Sequence, residues 1–151
     1  MKQLLLVEDD EYKATDLIKN IGQISAEAHI QKAASVTSAL KLISESSFDL
    51  IVLDMSLPTF DISGPGGGGS PQGQGGVEVL RLAGRLRNSS PFIVVTQYPD
   101  IEIEGREMSL ASASTELTSK FGVSVLGCLL YEFDGDAWRL PFQNLIRQAG
   151  I

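Results

Sequence analysis

Acidic side chains follow two predicted strands at the points where those strands end. Glu8 and Asp9 come directly after the apolar run Leu4 to Val7, and Asp54 directly follows the run Phe48 to Leu53. Short uninterrupted apolar runs are typical of parallel strands that are buried on both faces. In open α/β sheets, functional sites form at the carboxyl edge of the strands, so these three carboxylates should converge there.

Three carboxylates in close proximity repel one another and retain protons unless a cation neutralises them. Oxygen-only ligands suit Mg²⁺, which also accepts a phosphate oxygen readily. With such an ion nearby, Asp54 can act as a nucleophile and carry an acyl phosphate. Thr96 follows a further apolar run, where its hydroxyl could bond a phosphoryl oxygen. The simpler alternatives are solvated loop acids or helix caps for the carboxylates, and a turn or capping role for Thr96.

The apolar pattern of the chain alternates between strand and helix signals. Short runs predict five strands, near residues 4–7, 29–33, 48–53, 92–95 and 128–130. Helical periodicity predicts five helices, near residues 14–21, 36–43, 79–86, 110–121 and 138–149. This alternation predicts one α/β domain over residues 1–151, with a parallel sheet covered by helices on both faces. Asp10 and Ser35 are placed to cap the first two helices.

Two segments depart from this pattern. Residues 62–75 are rich in Gly, Pro and Gln and predict an inserted loop close to Asp54. The formal G-x-G-x-x-G within this loop is a chance match, and its GGGGS portion resembles a laboratory linker. Residues 97–107 form an extended acidic connection in which Ile101 and Ile103 alternate with glutamates, the pattern of an extra short strand.

Composition restricts the function further. The formal net charge of −7 disfavours nucleic-acid binding, because phosphate-backbone contacts need a basic surface. No segment is long or apolar enough for a signal peptide or a membrane span, so we expect a cytoplasmic protein without a membrane partner. Cys128, the single cysteine, lies in an apolar run and is expected to be a buried, unreactive thiol.

Three segments resemble the receiver domains of two-component response regulators: LLLVEDDE at 4–11, DLIVLDMSLP at 49–58 and FIVVT at 92–96. The resemblance implies a flavodoxin-like, doubly wound five-stranded parallel sheet with strand order 2-1-3-4-5. It also implies that Glu8 and Asp9 form the acidic pair and that Asp54 is the phosphoacceptor. In that case the Ser56 backbone carbonyl completes the Mg²⁺ site, and Thr96 moves toward the phosphoryl group.

The chain departs from the receiver pattern at the positions that normally respond to phosphorylation. Alignment on Gly127 places Tyr131 where receivers carry a lysine that pairs with the phosphoryl group. Lys120 belongs to the preceding helix and cannot replace it, so the sequence predicts a site with one cation fewer. Cys128 stands at the position of the switch aromatic residue, and Gln97 replaces a small residue after the threonine.

The leading hypothesis is a stand-alone receiver that accepts a phosphoryl group from a histidine kinase or phosphotransfer protein and signals to a downstream protein target. Such a chain is a phosphoacceptor rather than an enzyme with an external substrate. The alternative is a pseudo-receiver that binds partners independently of phosphorylation. An aspartate-nucleophile phosphatase is disfavoured, because Ser56 stands where the general acid would be required.

Overall fold

The computed structural model describes residues 1–61, 71–72 and 74–151. The predicted insertion at 62–75 therefore lies mostly outside the described residues. Its last position, Gly75, begins a helix.

A five-stranded parallel sheet forms the centre of the molecule. With strands numbered along the chain, its members lie side by side in the order β2-β1-β3-β6-β9. This arrangement confirms the predicted fold class and the predicted order of the five main strands. Their bounds are Gln3–Val7 (β1), His29–Ala33 (β2), Leu50–Leu53 (β3), Pro91–Thr96 (β6) and Ser124–Leu130 (β9).

Helices cover both faces of this sheet. They are Glu11–Ile24 (α1), Val36–Glu45 (α2), Gly75–Arg85 (α3), Leu110–Phe121 (α4) and Arg139–Gln148 (α5). Alternate side chains of a strand point to opposite faces, so β1 sends Leu4 and Leu6 into one core and Leu5 and Val7 into the other. The first core packs against α1 and α5, and the second packs against α2, α3 and α4.

Local hydrogen bonds explain where the first two helices begin. The Asp10 side chain accepts from the Lys13 amide, and Ser35 forms a reciprocal capping box with Ser38. Both residues are therefore the caps that the sequence predicts. The Asp10 cap starts α1 only two residues after the acid Glu8, which keeps the first turn of this helix beside the carboxyl edge of the sheet.

Two small antiparallel ribbons lie outside the sheet. Leu57–Pro58 (β4) pairs with Pro71–Gln72 (β5), and Asp100–Ile103 (β7) pairs with Arg106–Ser109 (β8). In the second ribbon, Ile101 and Ile103 are buried in the core beneath α4, which confirms the extra strand suggested by their alternation with glutamates. No helix in the described part of the chain is long and apolar enough to cross a membrane.

Candidate functional site

The three predicted acids meet at the carboxyl edge of the sheet. Carboxylate oxygens of Glu8, Asp9 and Asp54, one from each residue, all lie within 4.8 Å of one another. Glu8 and Asp54 are buried, and Asp9 is half-buried. These three side chains line a cavity of about 210 Å³ together with Asp10, Ser56, Gln97 and Tyr98.

The parallel pairing of β1 with β3 produces this convergence. Val7 pairs with Leu53, so the next residue of each strand is the acid that follows it. Two hydrogen bonds extend the ladder beyond the strand ends: the Glu8 amide donates to Ala33 O at 2.9 Å, and the Asp54 amide donates to Val7 O at 3.0 Å. The acids are therefore attached to backbone whose position is fixed by the sheet.

A lysine from α1 enters the same cluster. Lys13 Nζ lies 2.6 Å from Glu8 Oε1 and 3.1 Å from Asp54 Oδ1, and it donates to Val95 O at 2.7 Å. The Lys13 side chain is fully buried. The prediction of a site without a nearby lysine is therefore wrong. The cation comes from the first helix instead of the end of the last strand.

Helix geometry explains how Lys13 reaches the acids. Side chains on an α-helix lean toward its N-terminus, and Lys13 is the third residue of α1, next to the strand edge. Lys13 also lies four and eight residues before the buried Leu17 and Ile21, on the face of α1 that packs on the sheet. By contrast, Lys120 on α4 pairs with Glu104 of the β7–β8 turn at 2.9 Å.

The cluster has more negative than positive groups. Burial, and then the charge of Asp54, raises the pKa of Glu8 to about 8, although Lys13 opposes this rise. Burial also raises the pKa of Asp54 against the opposing effect of Lys13. Three ionised carboxylates and one ammonium would leave two uncompensated negative charges. A divalent cation would neutralise that excess.

The donor set fits Mg²⁺. Carboxylate oxygens are ligands that this ion accepts, and the cavity has room for the waters that it keeps. Glu8 Oε1 is buried and makes no hydrogen bond to any described residue beyond its ion pair with Lys13. An oxygen in this condition retains capacity to bind a cation. Glu8, Asp9 and Asp54 are the residues that would hold the ion.

The loop after β3 fixes the Asp54 side chain. The Met55 amide donates to Asp54 Oδ1 at 2.8 Å, and the Gly76 amide at the start of α3 donates to Met55 O at 2.9 Å. Ser56 lines the cavity, so its backbone is near the acids, while its predicted role as a carbonyl ligand stays a prediction.

Thr96 and Gln97 occupy different positions around the site. Thr96 is fully buried at the end of β6, and its hydroxyl accepts from the Tyr98 amide at 3.3 Å. It lines an adjoining cavity beneath the β7–β8 ribbon instead of the acid-lined cavity, which Gln97 borders. The Tyr98 contact is the turn interaction that was the simpler alternative for Thr96. Its phosphoryl-binding role stays a prediction.

Tyr131 follows β9 directly and its amide donates to Thr96 O at 2.7 Å. Its ring is buried, and its hydroxyl donates to Asp16 Oδ2 on α1 at 3.0 Å instead of to Asp54. Cys128 is half-buried, not fully buried as predicted, and packs against the core beneath α4; burial raises the pKa of its thiol to about 12. This shift favours the unreactive thiol that the sequence predicts.

The chain is similar in sequence and in fold to known proteins. No protein-family model matches the chain. The Detocs response regulatory protein DtcB of Vibrio alginolyticus is 29% identical over 147 residues, which cover 95% of this chain and 99% of that protein. The N-terminal domain of a response regulator/sensory box/GGDEF protein from Carboxydothermus hydrogenoformans superposes with a TM-score of 0.65. That domain is 17% identical, with 98% of this chain and 93% of that chain covered.

The chain has the fold of a response-regulator receiver domain and resembles one in sequence. One further solved structure with this fold contains a metal ion. The receiver domain of a sensor histidine kinase from Pseudomonas aeruginosa PAO1 contains a magnesium ion coordinated in its active site cleft. It superposes with a TM-score of 0.63 and is 17% identical, with 99% of this chain and 98% of that chain covered.

Proposed function

We propose that this chain is a receiver that accepts a phosphoryl group on Asp54 with the help of Mg²⁺ and thereby takes part in phosphorelay signalling. The observation that carries the proposal is the meeting of Glu8, Asp9 and Asp54 oxygens within 4.8 Å at the open edge of the sheet. An isolated pair of acids would suit a cap or a loop. Three acids from two adjacent strands, beside a solvent-open cavity, suit a cation and a phosphoryl group.

In the proposed reaction, a carboxylate oxygen of Asp54 attacks the phosphorus of a phosphohistidine on a histidine kinase or phosphotransfer protein. The new O–P bond gives an acyl phosphate, and the N–P bond breaks with its electron pair remaining on the imidazole nitrogen. Glu8, Asp9, Asp54 and the Ser56 carbonyl would hold the Mg²⁺, which would supply charge neutralisation for the incoming phosphoryl oxygens. The Met55 amide orients the nucleophile.

The phosphorylated state would act through contact with a downstream protein target. Residues 1–151 would form one receiver unit, with residues 62–75 inserted after the Asp54 loop and residues 97–107 as the extended acidic connection. We propose that the Thr96 hydroxyl moves toward the phosphoryl group. Gln97, which borders the acid-lined cavity, and Cys128 and Tyr131 of the β9 region are the positions where the response to phosphorylation differs from that of other receivers.

The test is phosphorylation of the purified chain by acetyl phosphate or phosphoramidate in the presence of Mg²⁺. We expect intact-mass spectrometry to detect one added phosphoryl group that is removed by hydroxylamine, as an acyl phosphate should be. Asp54→Asn and chelation of Mg²⁺ should each abolish the gain. Asp134→Asn is the matched control, because Asp134 is exposed and lies outside the cluster, and it should be phosphorylated like the wild type.

One observation favours the pseudo-receiver alternative. Lys13 already pairs with Glu8 and Asp54, so the acids have a cationic partner without a phosphoryl group or an added ion. A chain that functions in this state would gain no mass with either phosphodonor. Its binding to a partner would then be the same for the wild type and for Asp54→Asn.

A further inference from the structure

The cation beside Asp54 is in an unexpected place. Position 131, where the receiver resemblance places a lysine, carries a tyrosine whose hydroxyl bonds Asp16. Lys13 Nζ, from the opposite end of the chain, lies 5.8 Å from the centre of that tyrosine ring and 3.1 Å from Asp54 Oδ1. A positive charge is thus present at the nucleophile although the strand-end lysine is absent.

We propose that Lys13 is the group that pairs with the phosphoryl oxygens on Asp54 and so replaces the missing strand-end lysine. The inference rests on the proposed phosphorylation of Asp54. It assigns to this site a positioning cation that belongs to α1 instead of β9.

The contacts of Lys13 support this role. Its position near the N-terminus of α1 is unfavourable for a cation, because the helix dipole is positive there. Complete burial adds a further cost, since a charged group loses its water. Its partners offset these costs: Glu8 Oε1 and Val95 O lie 2.6 and 2.7 Å from the ammonium, and Asp54 Oδ1 lies 3.1 Å from it.

The geometry also allows Lys13 to exchange one hydrogen-bond acceptor for another when Asp54 is phosphorylated. An ammonium has three N–H donors, and Glu8 and Val95 O can retain two of them. The third, now directed to Asp54 Oδ1, is then available for a phosphoryl oxygen bonded to Asp54. Lys13 would stay in place while a phosphoryl oxygen replaces Asp54 Oδ1 as one of its three hydrogen-bond acceptors.

Three roles of Lys13 make different predictions for its charge-removing variants Lys13→Met and Lys13→Gln. If Lys13 binds the phosphoryl group, these variants should bind Mg²⁺ more tightly, because a cation that competes for the same carboxylates is gone. They should also bind beryllofluoride, a stable mimic of the phosphoryl group, about ten- to a hundredfold more weakly, as expected for loss of one hydrogen bond to a charged group.

Both affinities can be measured by isothermal titration calorimetry, first with MgCl₂ alone and then with beryllofluoride in saturating Mg²⁺. A purely structural lysine would give variants in which both affinities fall. A lysine that blocks the site would give variants in which both rise. Either result, or unchanged beryllofluoride affinity, would overturn the proposal. Lys13→Gln retains a donor for Val95 O, and circular dichroism identifies which variants are folded.

Lys32→Met is the matched control. It also removes one positive charge, but Lys32 is half-exposed and pairs with Glu11 at 3.2 Å on the surface. Both affinities should equal those of the wild type.

Failure of the proposed function has a separate signature. In that case the wild type itself would neither bind beryllofluoride nor gain a phosphoryl group, and this inference would fall with it. A wild type that binds beryllofluoride while the Lys13 variants bind it equally well would reject the role of Lys13 alone.

Discussion

A buried ammonium needs several strong partners, because its transfer out of water costs several kcal/mol even after the protein relaxes. Lys13 has them in Glu8, Asp54 and Val95 O, all within 3.1 Å. The same carboxylates would be the ligands of a divalent ion. Lys13 therefore supplies these acids with a cation that belongs to the chain itself.

Tyr131 provides a prediction at the residue level. Tyr131→Phe should leave the rate of phosphorylation by acetyl phosphate unchanged, because the hydroxyl bonds Asp16 and not Asp54. It should lower the free energy of unfolding by about 1–2 kcal/mol, since Asp16 loses a hydrogen bond that its charge strengthens. Urea denaturation and the phosphorylation time course measure the two effects.

The control for this variant is Tyr12→Phe, which removes a hydroxyl from an exposed tyrosine that stacks on Phe133. Its stability should match that of the wild type. A large fall in the phosphorylation rate of Tyr131→Phe would instead mean that this hydroxyl acts on the phosphoryl group.

The sequence was sufficient to predict the acids of the site but not their cation. Glu8, Asp9 and Asp54 each follow an apolar strand, so parallel pairing alone brings them together. Lys13 belongs to a helix, where its orientation depends on how that helix rotates on the sheet. A signal was nevertheless present: Lys13 precedes Leu17 by four residues on the apolar face, where a lysine needs a buried partner.

At the level of elements, the start of α3 controls the loop that carries Asp54. A Cβ atom on Gly76 would lie 2.5 Å from Asp54 O and 2.7 Å from Met55 Cα. Gly76→Ala should therefore push the helix and the loop apart and lower the free energy of unfolding by roughly 1–3 kcal/mol. It should also slow phosphorylation, because the Gly76 amide holds Met55 O.

Gly22→Ala is the matched control for this prediction. Gly22 is an exposed residue of α1, and a Cβ atom there would meet nothing within 4 Å. This substitution should raise the free energy of unfolding by about 0.5–1 kcal/mol, because alanine loses less backbone entropy in a helix. Two glycine-to-alanine changes should thus have opposite signs in the same denaturation assay, and equal effects would contradict the close contact at Gly76.

The connection at residues 97–107 shows which elements a sequence pattern predicts poorly. The alternation of Ile101 and Ile103 with glutamates was enough to suggest one strand. Its partner, Arg106–Ser109, has only Met108 as an apolar residue and gives no comparable signal. The turn between them depends on Glu104 and Gly105, which both adopt positive φ angles, of 49° and 82°. Hairpin pairing at such a turn is apparent only in three dimensions.

At the level of the whole molecule, the fold follows from alternation of strand and helix signals, which the sequence displays clearly. The two antiparallel ribbons were predicted less completely than the main sheet, because their few apolar residues contribute little periodicity. The overall acidity of the chain also has a local counterpart, since among the described residues the buried acids Glu8 and Asp54 both belong to the carboxylate cluster. The effect of these buried carboxylates should therefore be visible in the pH dependence of the free energy of unfolding.

The pKa of Glu8 is raised from 4.5 to about 8 in the folded chain, so the folded state binds this proton more tightly than the unfolded state does. The resulting stability is fully present below pH 4.5 and is lost as the pH rises toward 8. The raised pKa of Asp54 acts in the same direction. In a chelator, the free energy of unfolding should fall by on the order of 2 kcal/mol between pH 5 and pH 8.

Glu8→Gln removes the main titrating group, so its stability should vary less over this pH range than that of the wild type. Saturating Mg²⁺ should stabilise the wild type most at pH 8, where the carboxylates are ionised and repel one another in its absence. At about one hundred times its dissociation constant, a ligand specific for the folded state adds about 2.7 kcal/mol. Thermal unfolding across the pH series tests both statements. If the free energy of unfolding rose toward pH 8 in a chelator, that result would contradict the burial of uncompensated charge in this cluster.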